Sequence, residues 1–260
     1  ELRPLAPQTD ADTIVCCGVY FMAESAKLLS PEKTVLIPRK EAGCQMADMI
    51  EPDDVKRLRA AHPDAAVVVY VNSSAAVKAE SDICCTSSNA VEVVNSLPNE
   101  EIIFIPDQNL GSFVARFTDK TMYFFDGYCP IHHFTKARDV EQAKAAHPGA
   151  PVLVHPECPP AVVDQADFVA STAKIIAYVN QSEQKEFIIG TEQGILYPLQ
   201  KNHPDKVFHL LTKDMLCPNM KKISLADVVN CLEYGKHRVE LDQETMRKAS
   251  ESLSKMLAVK

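Results

Sequence analysis

The sequence contains a copy of itself. Shifted by 85 residues, AAHPDAAVVVYVN from Ala60 falls on AAHPGAPVLVHPE from Ala145 without a gap. Roughly 15 of 55 aligned positions are identical, where unrelated sequence gives about 3. Such a chain must fold as repeated units, so the repeat and not the length of 260 residues sets the domain count. The strand-like runs in TVLIPRKEAGC, MYFFDGYC and HLLTKDMLC lead to Cys44, Cys129 and Cys217, and an Asp-Val pair that opens a helix follows each cysteine at ten and eleven residues. The cysteines are 85 and 88 residues apart, so one structural position recurs in three units. KNHPDK near Asn202 reads as a weaker, worn copy of the His-Pro signal.

Within each unit, β-branched apolar runs such as VVVYV and EIIFI alternate with segments of helical period. Strands apolar on both faces and separated by helices indicate parallel sheets covered on each side. The expected fold class is therefore α/β, with three pseudo-threefold-related αβα three-layer lobes built on short parallel sheets. The second lobe takes residues 51–134 and the third 135–219, while 1–50 with 220–260 form a first lobe that lacks its amino-terminal half. On this phase, a first strand is missing beside the run starting at Thr13, and one edge of that lobe is open.

Twenty-seven basic against 35 acidic residues give a formal charge of −8, and no basic cluster is interleaved with aromatics. That balance argues against nucleic acid and anionic membrane surfaces as partners. No apolar run reaches the length of a membrane span, and ELRPLAPQTDADTIV has no signal-peptide pattern, so a cytoplasmic location is expected. Nine cysteines in a reducing compartment are core filler, metal ligands or nucleophiles. Cys16, Cys17, Cys84, Cys85 and Cys231 lie in apolar surroundings and read as filler, and Cys158 follows a His-Pro-Glu turn.

Cys44, Cys129 and Cys217 are different. Threefold-equivalent thiols converge on the pseudo-axis, where a shared ligand explains one in each unit. Three thiolates leave one corner of a 4Fe-4S cluster without a protein ligand, whereas a structural zinc takes four. At the first strand ends, Tyr70-Val71-Asn72 in one unit becomes His155-Pro156-Glu157 in the next. Ligands of parallel sheets bind at strand carboxyl ends, so this divergence marks a shared site, although turn prolines and a helix-capping Asn72 would explain the same residues. Thr86-Ser87-Ser88-Asn89 and Ser171-Thr172-Ala173-Lys174 each precede a helix, where they suit an anion or serve as plain caps. Of His132 and His133, one at most faces a site. His62, His147 and His203 precede prolines at helix ends and read as structural.

With these residues assembled, the sequence resembles the quinolinate synthase (NadA) family. The resemblance rests on GVYFMAESAKLL, IPRKEAGCQMADM, YVNSSAAVKAESDICCTSSNAVEVV, IPDQNLG, GYCPIH, VHPECPP, FIIGTEQGILYPL and CPNMKKISL, in family order. It implies three αβα lobes around one 4Fe-4S cluster held by Cys44, Cys129 and Cys217, and condensation of iminoaspartate with dihydroxyacetone phosphate in NAD biosynthesis. It implies a substrate site of Tyr70, Val71, Asn72, Ser87, His155, Pro156, Glu157, Ser171 and Thr172, with Glu157 and His155 moving protons and Tyr70 orienting or protonating a carbonyl. The enzyme that supplies iminoaspartate is a candidate partner. The family's amino-terminal segment, with its His-Tyr motif, has no counterpart before Thr9. A catalytically impaired or non-catalytic iron-sulfur relative, and a hydro-lyase with another substrate, stay open as alternatives.

Overall fold

The computed structural model describes residues 9–259, so the first eight residues of the expected first lobe lie outside the described residues. The chain opens with β1 (Thr13–Val15), α1 (Tyr20–Leu29) and β2 (Thr34–Leu36), a parallel pair crossed by one helix. Next come α2 (Pro52–Ala61), β3 (Ala66–Tyr70), α3 (Ala75–Ala79), β4 (Ile83–Cys85), α4 (Ala90–Ser96), β5 (Glu101–Ile105), α5 (Gln108–Val114), β6 (Thr121–Phe124) and α6 (Pro130–His133). The same succession returns as α7 (Ala137–Ala146), β7 (Val152–Val154), α8 (Pro160–Val163), β8 (Phe168–Val169), α9 (Thr172–Gln181), β9 (Glu186–Gly190), α10 (Leu196–Asn202) and β10 (Val207–Leu210). Helices α11 (Leu225–Tyr234) and α12 (Gln243–Ala258) end the chain. The protein is thus α/β with three parallel sheets of two, four and four strands flanked by helices.

The duplication holds down to strand register. Val68 pairs with Ile83 and Phe104, and 85 residues on Leu153 pairs with Phe168 and Ile189. Both four-stranded sheets share one order, β4-β3-β5-β6 and β8-β7-β9-β10. An aspartate retained in both copies fastens the first strand: Asp82 accepts from the Val67 N–H at 2.7 Å, and Asp167 from that of Val152 at 2.8 Å. The strands run apolar on both faces because helices cover both, and Val67, Val68 and Val69 are fully buried.

The Asp-Val signal after each cysteine proves to be a helix start. Asp54, Asp139 and Asp227 each accept the backbone N–H three residues earlier at 2.8 Å, fixing the first turns of α2, α7 and α11. The valines then diverge: Val55 and Val140 are buried against sheets, whereas Val228 is half-buried and Leu225, Val229 and Leu232 of α11 are exposed. Among the described residues, β1 pairs with β2 alone, while the free edge of β2 meets an antiparallel return in which the Val239 N–H donates to the Val35 carbonyl at 2.9 Å.

Two details differ from the reading of the sequence. The His-Pro at His203 is not a worn copy of the unit start. It ends α10 before β10, whereas His62 and His147 end α2 and α7. All three make one helix-to-strand turn, each carbonyl accepting from the N–H three residues on at 3.1–3.2 Å. Each unit also inserts a short helix and an edge strand, α3–β4 and α8–β8, between its first strand and the polar turn. Helix α12 lies chiefly along α3 and β4, with Ser252 Oγ 3.3 Å from Cys84 Sγ, and reaches α1 through Ser250 Oγ, which donates to the Leu28 carbonyl at 3.2 Å. Among the described residues, no helix is long and apolar enough to cross a membrane.

Phe104, fully buried on β5, fills the second lobe between sheet and helices. Phe104→Ala is expected to cost about 3–5 kcal/mol in urea denaturation, the range for a large aromatic whose cavity cannot collapse.

Candidate active site

Parallel strands leave their carboxyl ends on one side of each sheet, and the three lobes turn those ends toward a common cavity of about 1180 Å³. Cys44, Cys129 and Cys217 all line it, each half-buried and free of a disulfide. Tyr70, Val71, Asn72, Ser87, His155, Glu157, Ser171 and Thr172 line it too, so most of the residues singled out in the sequence meet at one place. Pro156 does not line the wall, being buried behind it. Cys17, read as core filler, is exposed and forms part of the wall with Gly18 and Val19, the residues that lead from β1 into α1. Leu253, Met256 and Leu257 of α12 add an apolar side.

Glu157 is the electrostatic centre. Its carboxylate is 4% exposed and lies 2.8 Å from His132 Nδ1 and 3.7 Å from His155 Nδ1, and the Tyr70 hydroxyl donates to it. Burial opposes ionisation, yet His155, His132 and Tyr70 outweigh it and hold the carboxyl at about 2. His155 is the reverse case: burial drives its imidazolium down to about 4, so the ring is neutral near pH 7. Its Nε2 meets Ser87 Oγ at 3.2 Å. Burial, then the Glu157 charge, lift the Tyr70 phenol well above its ordinary range and keep it a proton donor. Burial pushes the Cys44 thiol up to about 11 and the Cys129 thiol well above its usual value, so a bound cation is what would favour thiolates here.

The hydroxyl pairs are not alike. Ser171 caps α9, accepting from the Lys174 N–H at 3.4 Å, and also accepts from Ser88 Oγ at 2.7 Å, which ties the second lobe to the third. Thr172, the first residue of α9, stays exposed in the cavity beside the free N–H groups of that helix start. Ser87 caps nothing and bonds His155, while Asn72 leaves the cap of α3 to Ser74 and faces the cavity. Thr172 and Ser87 are thus not helix caps, whereas Ser171 is one.

His132 was not separable from His133 in the sequence, and short helix α6 separates them. His132 turns inward, with Nδ1 3.2 Å from Cys129 Sγ and Nε2 3.0 Å from Thr191 Oγ1, while His133 stacks on Tyr128. Two acids that the sequence reading passed over stand behind the cysteines. Asp107 caps α5, its Oδ1 accepting from the Asn109 and Leu110 N–H groups at 2.8 and 2.9 Å, and the Cys129 N–H also points to its carboxyl. Glu192, 85 residues on, accepts from the Gly194 and Cys217 N–H groups at 2.7 and 3.3 Å. One duplicated position therefore anchors two of the three cysteine loops. The signal was present in PDQ and TEQ at the ends of β5 and β9. Burial and the nearby Glu157 charge raise the Asp107 carboxyl well above its ordinary range, the opposite direction to Glu157.

Replacing Asp107 by Ala removes the α5 cap and is expected to lower unfolding stability by about 0.5–2 kcal/mol. Released from its anchor, Cys129 should also react faster with a thiol reagent while Cys217, held by Glu192, keeps its rate.

A family model described as quinolinate synthetase A protein matches residues 1–258. A quinolinate synthase of Caldicellulosiruptor bescii is 54% identical over 257 residues, covering 98% of this chain and 85% of that protein. One from Geobacter metallireducens is 53% identical over 254 residues, covering 98% and 84%, and quinolinate synthase 2 of Methanosarcina acetivorans is 50% identical over 254 residues, covering 98% and 82%. Identity at this level across nearly the whole chain places it in the quinolinate synthetase A family of enzymes.

Proposed function

We propose that the protein condenses iminoaspartate with dihydroxyacetone phosphate to quinolinate, in NAD biosynthesis, using a 4Fe-4S cluster held by Cys44, Cys129 and Cys217. The observation that carries this reading is the donor set: one cysteine from each lobe on the wall of one cavity, beside an ionised buried carboxylate. A structural zinc takes four protein ligands, whereas three thiolates leave one corner of a 4Fe-4S cluster open, which favours the cluster for this donor set. A cavity of about 1180 Å³ has room for a cluster and two small substrates. Bound there, the cluster would supply a Lewis-acidic iron with no protein ligand, which is the help that loss of water needs.

The remaining chemistry falls to the chain's own residues. Condensation releases two waters and phosphate, and atoms balance with no oxidant. Glu157 takes the proton removed from carbon, since it is the ionised group of the site and desolvated by burial. Neutral His155, steadied by Ser87, passes that proton on, and Tyr70 donates to a carbonyl or hydroxyl oxygen. Thr172 with the α9 start and Ser87 hold carboxylate or phosphate, Asn72 orients a carboxylate, and Val71 and Pro156 shape the strand ends. The substrates are small molecules, the location is the cytoplasm, and the enzyme that makes iminoaspartate is the proposed partner.

One observation favours a second reading, a single ion on Cys129, His132 and Glu157, whose ligand atoms lie within 4.8 Å of one another. It leaves Cys44 and Cys217 without a task. Anaerobic reconstitution separates the two, with about four irons and four sulfides per chain expected. Changing Cys44, Cys129 or Cys217 to Ser should each abolish that content; a single metal ion that survives Cys44→Ser would support the second reading. Turnover with iminoaspartate generated in situ then tests the reaction, and a cluster-loaded protein that makes no quinolinate would indicate a non-catalytic relative or another substrate. Glu157→Gln is expected to cost about 10²–10⁴ in kcat with the cluster spectrum intact. Thr172→Ala should raise KM more than it lowers kcat.

A further inference from the structure

At the end of the third sheet away from the cavity, two histidines from separate elements meet one carboxylate. Glu186 opens β9, whose other end leads to Thr191 and Glu192 on the cavity wall. Its Oε1 lies 3.2 Å from Nδ1 of His147, the residue that ends α7, and 2.7 Å from Nε2 of His209 on β10. The two imidazoles stack with centroids 3.4 Å apart. All three groups are partly exposed, and their ligand atoms lie within 4.8 Å of one another.

The duplication supplies an internal control. The equivalent place in the second lobe holds His62, Glu101 and Tyr123, with His62 and Tyr123 stacked at 3.6 Å and the Tyr123 hydroxyl bonded to Glu101. One scaffold thus carries the same ring stack over the same glutamate twice. Only the third lobe replaces the phenol, a poor ligand while it keeps its proton, with an imidazole. The turn that presents His147 accounts for a histidine before proline, since His62 and His203 serve it equally, but it does not call for a second imidazole on β10 facing the same oxygen.

We propose that His147, Glu186 and His209 form a binding site for a borderline divalent transition-metal ion of the zinc, cobalt and nickel class. Two imidazole nitrogens and one carboxylate oxygen suit such ions, and the exposure of the cluster leaves water to complete the coordination. The ion would clip the end of α7 to β9 and β10, which already pair as neighbouring parallel strands. The proposal stands apart from the cavity and its cysteines, so its failure leaves the functional reading untouched.

Cobalt(II) added to the purified protein is the probe, because cobalt on thiolates shows intense sulfur-to-metal charge transfer and cobalt on nitrogen and oxygen does not. The expected result is a cobalt site free of that absorption, which raises the melting temperature and is weakened at least about tenfold in H209Y and in E186Q. H62A should leave it unchanged. Tyrosine already occupies the equivalent place in the second lobe, so H209Y has a precedent in the same scaffold, and E186Q serves as an independent second variant. Cobalt found on thiolates alone, or thiolate-free cobalt bound equally by wild type, H209Y and E186Q, would overturn the proposal.

Discussion

A carboxylate buried as deeply as Glu157 stays ionised only where other groups replace the water it has lost, and the architecture of the site follows from that requirement. The replacements come from two lobes. Tyr70 stands at the end of β3 and His132 on the turn after Cys129, whereas His155 and Glu157 itself follow β7. Bringing the second and third lobes together at their strand ends is therefore what makes Glu157 tolerable. The same approach puts Cys129 and Cys217 on one wall. Removing one of these partners would leave the buried carboxylate short of a hydrogen bond, so lobe docking and the charge state of the site are coupled.

Duplication explains how a short chain arranges this. Registers, the Asp82 and Asp167 clamps and the order of strands are shared by the two four-stranded lobes, so scaffold and chemistry separate cleanly. Divergence is concentrated at strand ends. Tyr70 faces the site from one copy and His155 from the other, and Asp107 and Glu192 anchor cysteine loops with carboxylates of different length. Burial and the Glu157 charge push the Asp107 carboxyl up while Glu157 is held down, so the two neighbouring carboxyls are driven apart in acidity.

Much of this was legible in the sequence because repeats expose equivalence without coordinates. The special standing of residues 70–72 and 155–157 follows from the 85-residue shift, the shared position of the three cysteines from spacings of 85 and 88, and the parallel sheets from apolar strands alternating with helices. What stayed hidden depends on direction. Nothing in the pair His132-His133 tells which ring turns inward, since α6 is one short turn whose facing is set by packing against Thr191 and Glu157. Cys17 sits in an apolar stretch yet faces the cavity, because the strand before it stops at Val15. The His-Pro of His203 repeated a turn and not a unit, a distinction that local sequence cannot make.

The central claim is that one cysteine from each lobe holds a single group with one position left for substrate. Mössbauer spectra of protein reconstituted with iron-57 test it most directly. The account predicts that about one iron in four is distinguishable and that it alone shifts when a substrate analogue with a hydroxyl or carboxylate is added. Four irons that respond alike, or no response by any of them, would contradict it.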